Sequence, residues 1–332
     1  MSQFLTLEFE EVLDRLTDPA PTLILLHRNP DADAVGSAFA LRHVLEALGS
    51  PAFCVCQDEI PRRLRFLTDG VQSSMLPEAI PEEIVFERVI AVDVASPQQL
   101  GRLWESFGDR ISMMIDHHEN GEAFADHFIQ PEAAATGEIL FDLFKTLAHE
   151  EQIGFDATLA TLLYAAISAD TGCFRYSNVT PETHVRAAEL MSFDIDTAAI
   201  NHRLFQTKSM ELLRAEGAGI SNLQLYADGR IAVVTFPYAL KVALGLGDEH
   251  LDTLVDIARS VEGAKIAIAI RQSTTEGIYR VSVRSSCDYD VSTLCAAFNG
   301  GGHRKAAGCT LSAPDMESAV DQLLAVIDFL EL

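Results

Sequence analysis

The chain has 332 residues, long for one hydrophobic core and ordinary for two, so two domains are expected. Apolar residues make up 48% of it, yet no run approaches the roughly 20 uninterrupted apolar residues of a membrane span. A formal charge of −25 excludes a broad basic surface that coats long DNA or RNA, because Lys and Arg must neutralise phosphates there; a polyanionic substrate has to be short or held by a local exception.

The N-terminal stretch MSQFLTLEFEEVLDRL is acidic and helical in period, without the basic and then apolar layout of a secretion signal, and predicts a cytoplasmic protein. Short apolar runs of strand length follow (TLILLH, AFCVC, RVIAVDV, ISMMID), separated by helically spaced segments such as GSAFALRHVLEALG. That alternation predicts βαβ units and a mostly parallel sheet with helices on both faces. TGEILFDLFKTL, DATLATLLYAAISAD and TPETHVRAAELM predict further helices; in the last, Thr180 caps and Pro181 suits the first turn, but Thr183 stands where a capping box wants Glu or Gln. A first domain is therefore expected over 1–190.

From 191 to 215 the spacing is helical with no strand, and this is read as a linker. A smaller α/β domain over 216–332 then begins with NLQLYADGRIAVVTF, two β-rich runs joined by Asp228-Gly229, a hairpin signal. A helix near 249–260, strands AKIAIAIRQS and GIYRVSVRSS, a helix VSTLCAAF, a glycine-rich turn and a last helix near 314–331 follow. Residues 259–305 are locally basic, with seven Lys/Arg against four Asp/Glu. Six scattered cysteines form no CxxC pair, which argues for buried thiols over a zinc ribbon or a disulfide framework.

Four polar clusters fall at or just after these predicted ends: His27 with Asp31 and Asp33; Asp93; Asp116 with His117 and His118; and Asp170 with Thr171. In an open α/β sheet the carboxyl ends of the strands converge on one crevice, so residues distant in sequence can meet there. Pro30 biases Asn29 away from helix, which puts His27, Asp31 and Asp33 on a loop leaving the first strand. Gly36 and Ser37 then open a helix whose free N–H groups suit a phosphate. Each residue alone has a structural reading, an Asp as a cap or a His as a satisfied core residue, and His43, His127, His149, His184, His202 and His250 are left with it. Together, the clusters point to metal. Two bare carboxylates about 4 Å apart repel by roughly 4 kcal/mol at an effective dielectric near 20, so gathering Asp31, Asp33, Asp93 and Asp170 calls for cations. Mixed imidazole and carboxylate donors suit Mn²⁺ particularly, with Mg²⁺ or Co²⁺ as substitutes.

At these residues the chain resembles the DHH phosphoesterase superfamily: DHH at Asp116-His117-His118, together with HRNPDADAVGS, VDVASP and SADTGCFRYSNVTPET. GGGHRKAAG at 300–308 resembles the glycine-rich signature of the DHH-associated C-terminal domain, so the likeness covers nearly the whole chain, in the order of the family's motifs. The most similar subgroup is the bacterial nanoRNase and 3′-phosphoadenosine-5′-phosphate (pAp) phosphatase type. The resemblance implies one metal ion on His27, Asp31 and Asp93 and a second on Asp33, Asp93, His117 and Asp170, with Asp93 bridging. It places His118 against the substrate phosphate or leaving group, and Asp116 behind the histidines, orienting them.

Two such ions would lower the pKa of a bridging water and present hydroxide in line with phosphorus, and His118 would assist the leaving oxygen. Gly301, Gly302 and His303, with Arg284 as bidentate anchor, would hold the substrate's terminal phosphate, while Arg271 and Arg280 are read as solvated strand residues. A cleft between a metal domain and a phosphate-gripping domain, closing about the 191–215 linker, would select short RNA or DNA oligonucleotides, linear dinucleotides or pAp over long chains. A homodimer is a further expectation. The alternatives are a pyrophosphatase or exopolyphosphatase, a cyclic-dinucleotide phosphodiesterase, and an inactive nucleic-acid-binding module.

Overall fold

A computed structural model describes residues 4–68, 80, 85–119 and 121–327. The chain divides into two compact units, Met1–Thr207 and Lys208–Leu332. Among the described residues no helix is long and apolar enough to cross a membrane.

In the first unit, strands β1 (Thr22–Leu25), β2 (Ala52–Val55), β3 (Arg88–Val92), β4 (Met113–Asp116) and β5 (His127–Ile129) form an all-parallel sheet in the order β2-β1-β3-β4-β5. Both faces of β1 are covered, as its continuous apolar run requires. Ile24 and Leu26 pack into a core built with the helices Ala32–Ala47, Thr136–His149 and Ala157–Asp170, whereas Leu23 and Leu25 pack on the other side with Leu100, Leu103 and Phe124. Edge strand β5 has no clear sequence signal, because three residues are too few to show a period.

Two local expectations change in the structure. Helix Ala32–Ala47 starts four residues before Gly36, capped by the Asp31 carboxylate, which accepts from the Ala34 N–H at 3.0 Å. Asp33 therefore lies in a first helical turn and not on a loop, and Gly36 and Ser37 are buried inside the helix. Gly36 serves a helix crossing: a Cβ there would stand 2.6 Å from the Leu162 carbonyl oxygen and 3.1 Å from the Ala166 Cβ. The box at Thr180 is complete with threonine, since the Thr183 side chain accepts from the Thr180 N–H at 3.2 Å and the Thr180 side chain accepts from the Thr183 N–H.

The region 191–215 contains the end of helix Pro181–Met191, the helix Thr197–Asn201, a π-helical turn His202–Gln206 and the start of helix Met210–Ser221. The second unit is a mixed six-stranded sheet of β6 (Leu223–Tyr226), β7 (Ile231–Phe236), β8 (Ile266–Gln272), β9 (Ile278–Ser285), β10 (Gly301–His303) and β11 (Ala306–Ser312), in the order β10-β11-β9-β8-β7-β6. Residues 249–260 resolve into a 3₁₀ turn Asp248–Leu251 and a helix Leu254–Arg259, and the last helix runs Met316–Val326, with the expected stretch beyond 327 outside the described residues. The glycine-rich segment is a strand pair, β10 with β11, and not a free turn. Its small residues hid β11, because Ala and Gly carry little β preference.

Replacing Gly36 by Ala sets about 1 kcal/mol of helix propensity against an overpacking cost of about 1–3 kcal/mol. The close backbone oxygen puts that cost at the upper end, so Gly36→Ala should lower unfolding stability by roughly 1–2 kcal/mol in a denaturant titration. An unchanged or raised midpoint would show that the two helices part freely.

Candidate metal centre

The carboxyl ends of β1, β3 and β4, and the end of helix Ala157–Asp170, bring His27, Asp31, Asp33, Asp93, His117, His118 and Asp170 into three overlapping groups: His27, Asp31 and Asp93; Asp33, His117 and Asp170; and Asp93, His117 and His118. Within each group the donor atoms lie within 4.8 Å of one another. Asp93 belongs to two groups through different oxygens. Its Oδ2 lies 3.8 Å from His27 Nε2, and its Oδ1 lies 3.8 Å from His117 Nε2 and 3.9 Å from His118 Nδ1.

Local structure aims each donor. Asp93 follows β3 with φ of +59°, a left-handed conformation uncommon for a non-glycine residue, and its N–H donates to the Ile115 carbonyl at 3.0 Å. His27 Nδ1 lies 2.8 Å from the Arg28 carbonyl and His117 Nδ1 lies 3.2 Å from the Ala133 carbonyl. A carbonyl accepts only, so each Nδ1 carries the proton and, in the neutral ring, each Nε2 turns a bare lone pair inward. Asp116 is fully buried; its Oδ1 accepts from the His117 backbone N–H at 2.8 Å and pairs with His118 Nδ1 at 2.7 Å. It thus orients the ring of His118 alone, whereas the ring of His117 is held by the Ala133 carbonyl.

Electrostatics makes this cluster unstable without cations. His117 Nε2 is buried with no hydrogen-bond partner, and it faces Asp170 Oδ2 at 3.2 Å, Asp93 Oδ1 at 3.8 Å and Asp33 Oδ2 at 3.9 Å. A lone pair opposite carboxylates is repulsive unless a proton or a metal ion lies between them. In the metal-free chain protons take that place. Burial disfavours charge on His117, but the Asp170 carboxylate 3.2 Å from its Nε2 and the charge of Asp33 outweigh it and push its pKa up to about 9. Burial, and then the charge of Asp170, raise Asp33 to about 7, and burial with the charge of Asp33 raises Asp93 well above the carboxylate range. Imidazole lone pairs and carboxylate oxygens converging on shared space are a donor set that fits divalent ions.

Sequence reasoning missed the supports of this cluster. The Thr136 N–H donates to Asp33 Oδ2 at 2.7 Å, the Gly137 N–H to Asp33 Oδ1 at 3.0 Å, and the Ser37 hydroxyl to the same Oδ1 at 2.8 Å. The Thr136 hydroxyl also donates to Asp93 Oδ1 at 2.9 Å, so one residue ties two acids together. The Asn178 amide donates to the carbonyls of Ala134 and Asp170, at 3.0 and 3.1 Å, fastening the loop that aims His117 to the helix end that carries Asp170. The Thr-Gly pair opening a predicted helix was the available signal for the first set; nothing local marks Asn178.

In the second unit, His303 pairs in register with Ala306, and Ala306 with Arg284, so His303 and Arg284 share one row and one face of the sheet. Gly300 and Gly302 are required by packing: a Cβ would meet the Gly308 carbonyl at 2.3 Å and the Ala306 carbonyl at 2.5 Å, and Gly302 has φ of +142°. Only Gly301, with nothing within 4 Å of its Cβ position, faces open space as a phosphate-binding glycine would.

A family model described as "DHH family, N-terminal domain" matches residues 21–167, and one described as "DHHA1 domain" matches residues 233–329. The "Bifunctional oligoribonuclease and PAP phosphatase NrnA" of Thermus thermophilus is 32% identical over 309 residues, covering 92% of this chain and 89% of that protein. The chain belongs to the DHH family. It is accordingly a phosphoesterase of a metal-dependent hydrolase family. The "Cyclic-di-AMP phosphodiesterase PdeA" of Listeria monocytogenes is 24% identical over 94% of this chain but over only 48% of its own length. Among solved structures, an exopolyphosphatase-related protein from Bacteroides fragilis superposes with a TM-score of 0.84 at 22% identity, covering 98% of each chain, which shows the shared fold.

Metal binding requires Asp33, Asp93 and His117 to lose their protons. Asp33, raised from 3.8 to about 7, and His117, raised from 6.5 to about 9, stabilise the metal-free fold fully below pH 3.8 and 6.5 respectively, and lose that contribution as pH rises through 7 and 9. The rise in melting temperature given by Mn²⁺ over chelator should therefore grow across this window; a constant shift would contradict the account.

Proposed function

We infer that this chain hydrolyses short phosphorylated nucleotides: oligoribonucleotides of a few units, linear dinucleotides, and pAp to AMP. The observation that carries the reading is the buried His117 lone pair facing the carboxylates of Asp33, Asp93 and Asp170, a cluster that calls for cations in a chain of this family. The Thermus relative, named for both the oligoribonuclease and the PAP phosphatase activity, supports the substrate class, since the likeness runs through nearly all of both chains.

In this reading His27, Asp31 and Asp93 hold one divalent ion, and Asp33, Asp93, His117 and Asp170 hold a second, with manganese favoured by the mixed nitrogen and oxygen donors. Bound ions would act as Lewis acids, acidify water and neutralise charge on the phosphoryl oxygens. Asp93 keeps the two ligand sets in fixed relation, because one oxygen faces each. His118 has Nδ1 committed to Asp116 and a side chain 40% exposed, which leaves Nε2 to give a proton to the leaving oxygen. Asp116, buried behind it, keeps that ring turned through the contact with Nδ1. Arg284, His303 and the backbone of Gly301 and Gly302 bind the substrate's other phosphate. Six free cysteines accord with a reducing cytoplasm.

A turnover panel of pAp, a dinucleotide, a short RNA, cyclic di-AMP and pyrophosphate, with Mn²⁺, should show hydrolysis of the first three; dominant pyrophosphate or cyclic di-AMP turnover would replace the reading. Asp93→Asn should cost more than the roughly 100-fold that loss of an outer-shell partner costs. Arg284→Ala should raise KM about 10–100-fold and leave kcat nearly unchanged. The reverse pattern would overturn the division of roles.

A further inference from the structure

Among the cations of the second unit that the reading above does not use, three stand together. Lys241 from helix Tyr238–Ala243, Arg271 from β8 and Arg280 from β9 line one concavity together with Asp248. Read from sequence, Arg271 and Arg280 are solvated strand residues; in the sheet they are register partners, like charges directly opposite each other. Such a pair is unfavourable by itself. What offsets it is exposed: Arg271 meets Asp252 at 2.7 Å, Arg280 lies 3.8 Å from Asp248, and Lys241 donates to Asp248, while the side chains of Asp248 and Asp252 are 67% and 69% exposed. Exposed ion pairs are weak and easily exchanged, so Asp248 occupies a place where another anionic oxygen can replace it.

This group is continuous with the Arg284 row. Along β9 the residues facing away from the Val281 and Val283 core are Arg280, Ser282 and Arg284. Arg284 shares its row with His303 and Ala306, Ser282 shares the next with Gly308 and Gly301, and Arg280 shares the third with Thr310 and Arg271. The two arginine rows are about 13 Å apart along the strand. On β8 this face is covered, since Ala267 and Ala269 pack under helix Leu254–Arg259. Between the arginine rows on β9 and β11 stand only Ser282 and Gly308, small and half-buried, which leaves a path for a phosphodiester chain along those two strands.

We propose that this sheet face is a track for phosphodiesters, on which Arg284 and His303 take the phosphate nearest the cleaved bond and Arg280, Arg271 and Lys241 take a more distant phosphate of a longer oligonucleotide. The track rests on the reading of the chain as a short-nucleotide hydrolase. It makes the second unit grade substrates by length, since pAp and a dinucleotide have no phosphate beyond the one at Arg284.

The test is the ratio of KM values for a 5′-phosphorylated dinucleotide and a tetranucleotide, measured on the Mn²⁺-loaded full chain. Arg280→Gln and Lys241→Gln should each raise the tetranucleotide KM relative to the dinucleotide KM about tenfold. Asp248→Asn, which removes the competing carboxylate, should lower the same ratio about threefold, a change of sign that misfolding does not produce. A ratio unmoved by both cation variants, with the wild type active on both substrates, overturns the track and leaves the functional reading intact. A wild type inactive on both withdraws the reading and the track together.

Discussion

Buried like charges and an imidazole lone pair repel one another unless something positive lies among them, and the first unit is arranged around that constraint. Asp33 and Asp93 are almost wholly inaccessible to solvent, and Asp170 and the bare Nε2 of His117 face the same space. Backbone and hydroxyl donors hold the acids in place: Thr136, Gly137 and Ser37 grip Asp33, and Thr136 also reaches Asp93. Those donors reduce the repulsion without cancelling it, and the raised pKa values of Asp33, Asp93 and His117 express what remains.

The parallel sheet is what makes such a concentration possible. Its strands all present carboxyl ends on one edge, so β1, β3 and β4 deliver His27, Asp93 and the Asp116-His117-His118 run to a common place without long loops. Helices packed on the sheet add the remaining acids, Asp33 from a first turn and Asp170 from a last one. Gly36 and Gly137 let those helices approach closely enough, since a Cβ on either would meet the helix Ala157–Asp170 within 2.6 Å. The packing of the core and the geometry of the cluster are thus one problem. The left-handed backbone at Asp93, a costly conformation for an aspartate, falls where one carboxylate has to face two ligand sets.

The proposed role of the second unit poses the opposite electrostatic problem. In a chain with a formal charge of −25, the surface as a whole repels phosphates, so affinity for them has to be local. In the reading proposed above, the sheet provides that locality by register. Arg284 stands beside His303 across β11, and Arg280 beside Arg271, with small residues between the rows. Two of the glycines in the signature segment answer to packing, and the third leaves the space open.

Much of this was legible in the sequence because it is carried by short-range pattern. Apolar runs of strand length alternating with helical spacing specify a parallel α/β unit, and ligand-type residues at the ends of those runs mark where donor side chains gather, as His27, Asp93 and His117 do. The DHH and GGGH motifs add the family through residue order alone. Three-dimensional packing decided the rest, for reasons that do not depend on neighbours in sequence. Whether Asp33 sits on a loop or in a helix depended on where the Asp31 cap could form. The partners of Asp33, at Thr136 and Gly137, lie a hundred residues away and are defined by a helix crossing. The pairing of Arg271 with Arg280, and the strand hidden in AAGCTLS, follow from sheet register, which long-range hydrogen bonds set and which no local propensity encodes.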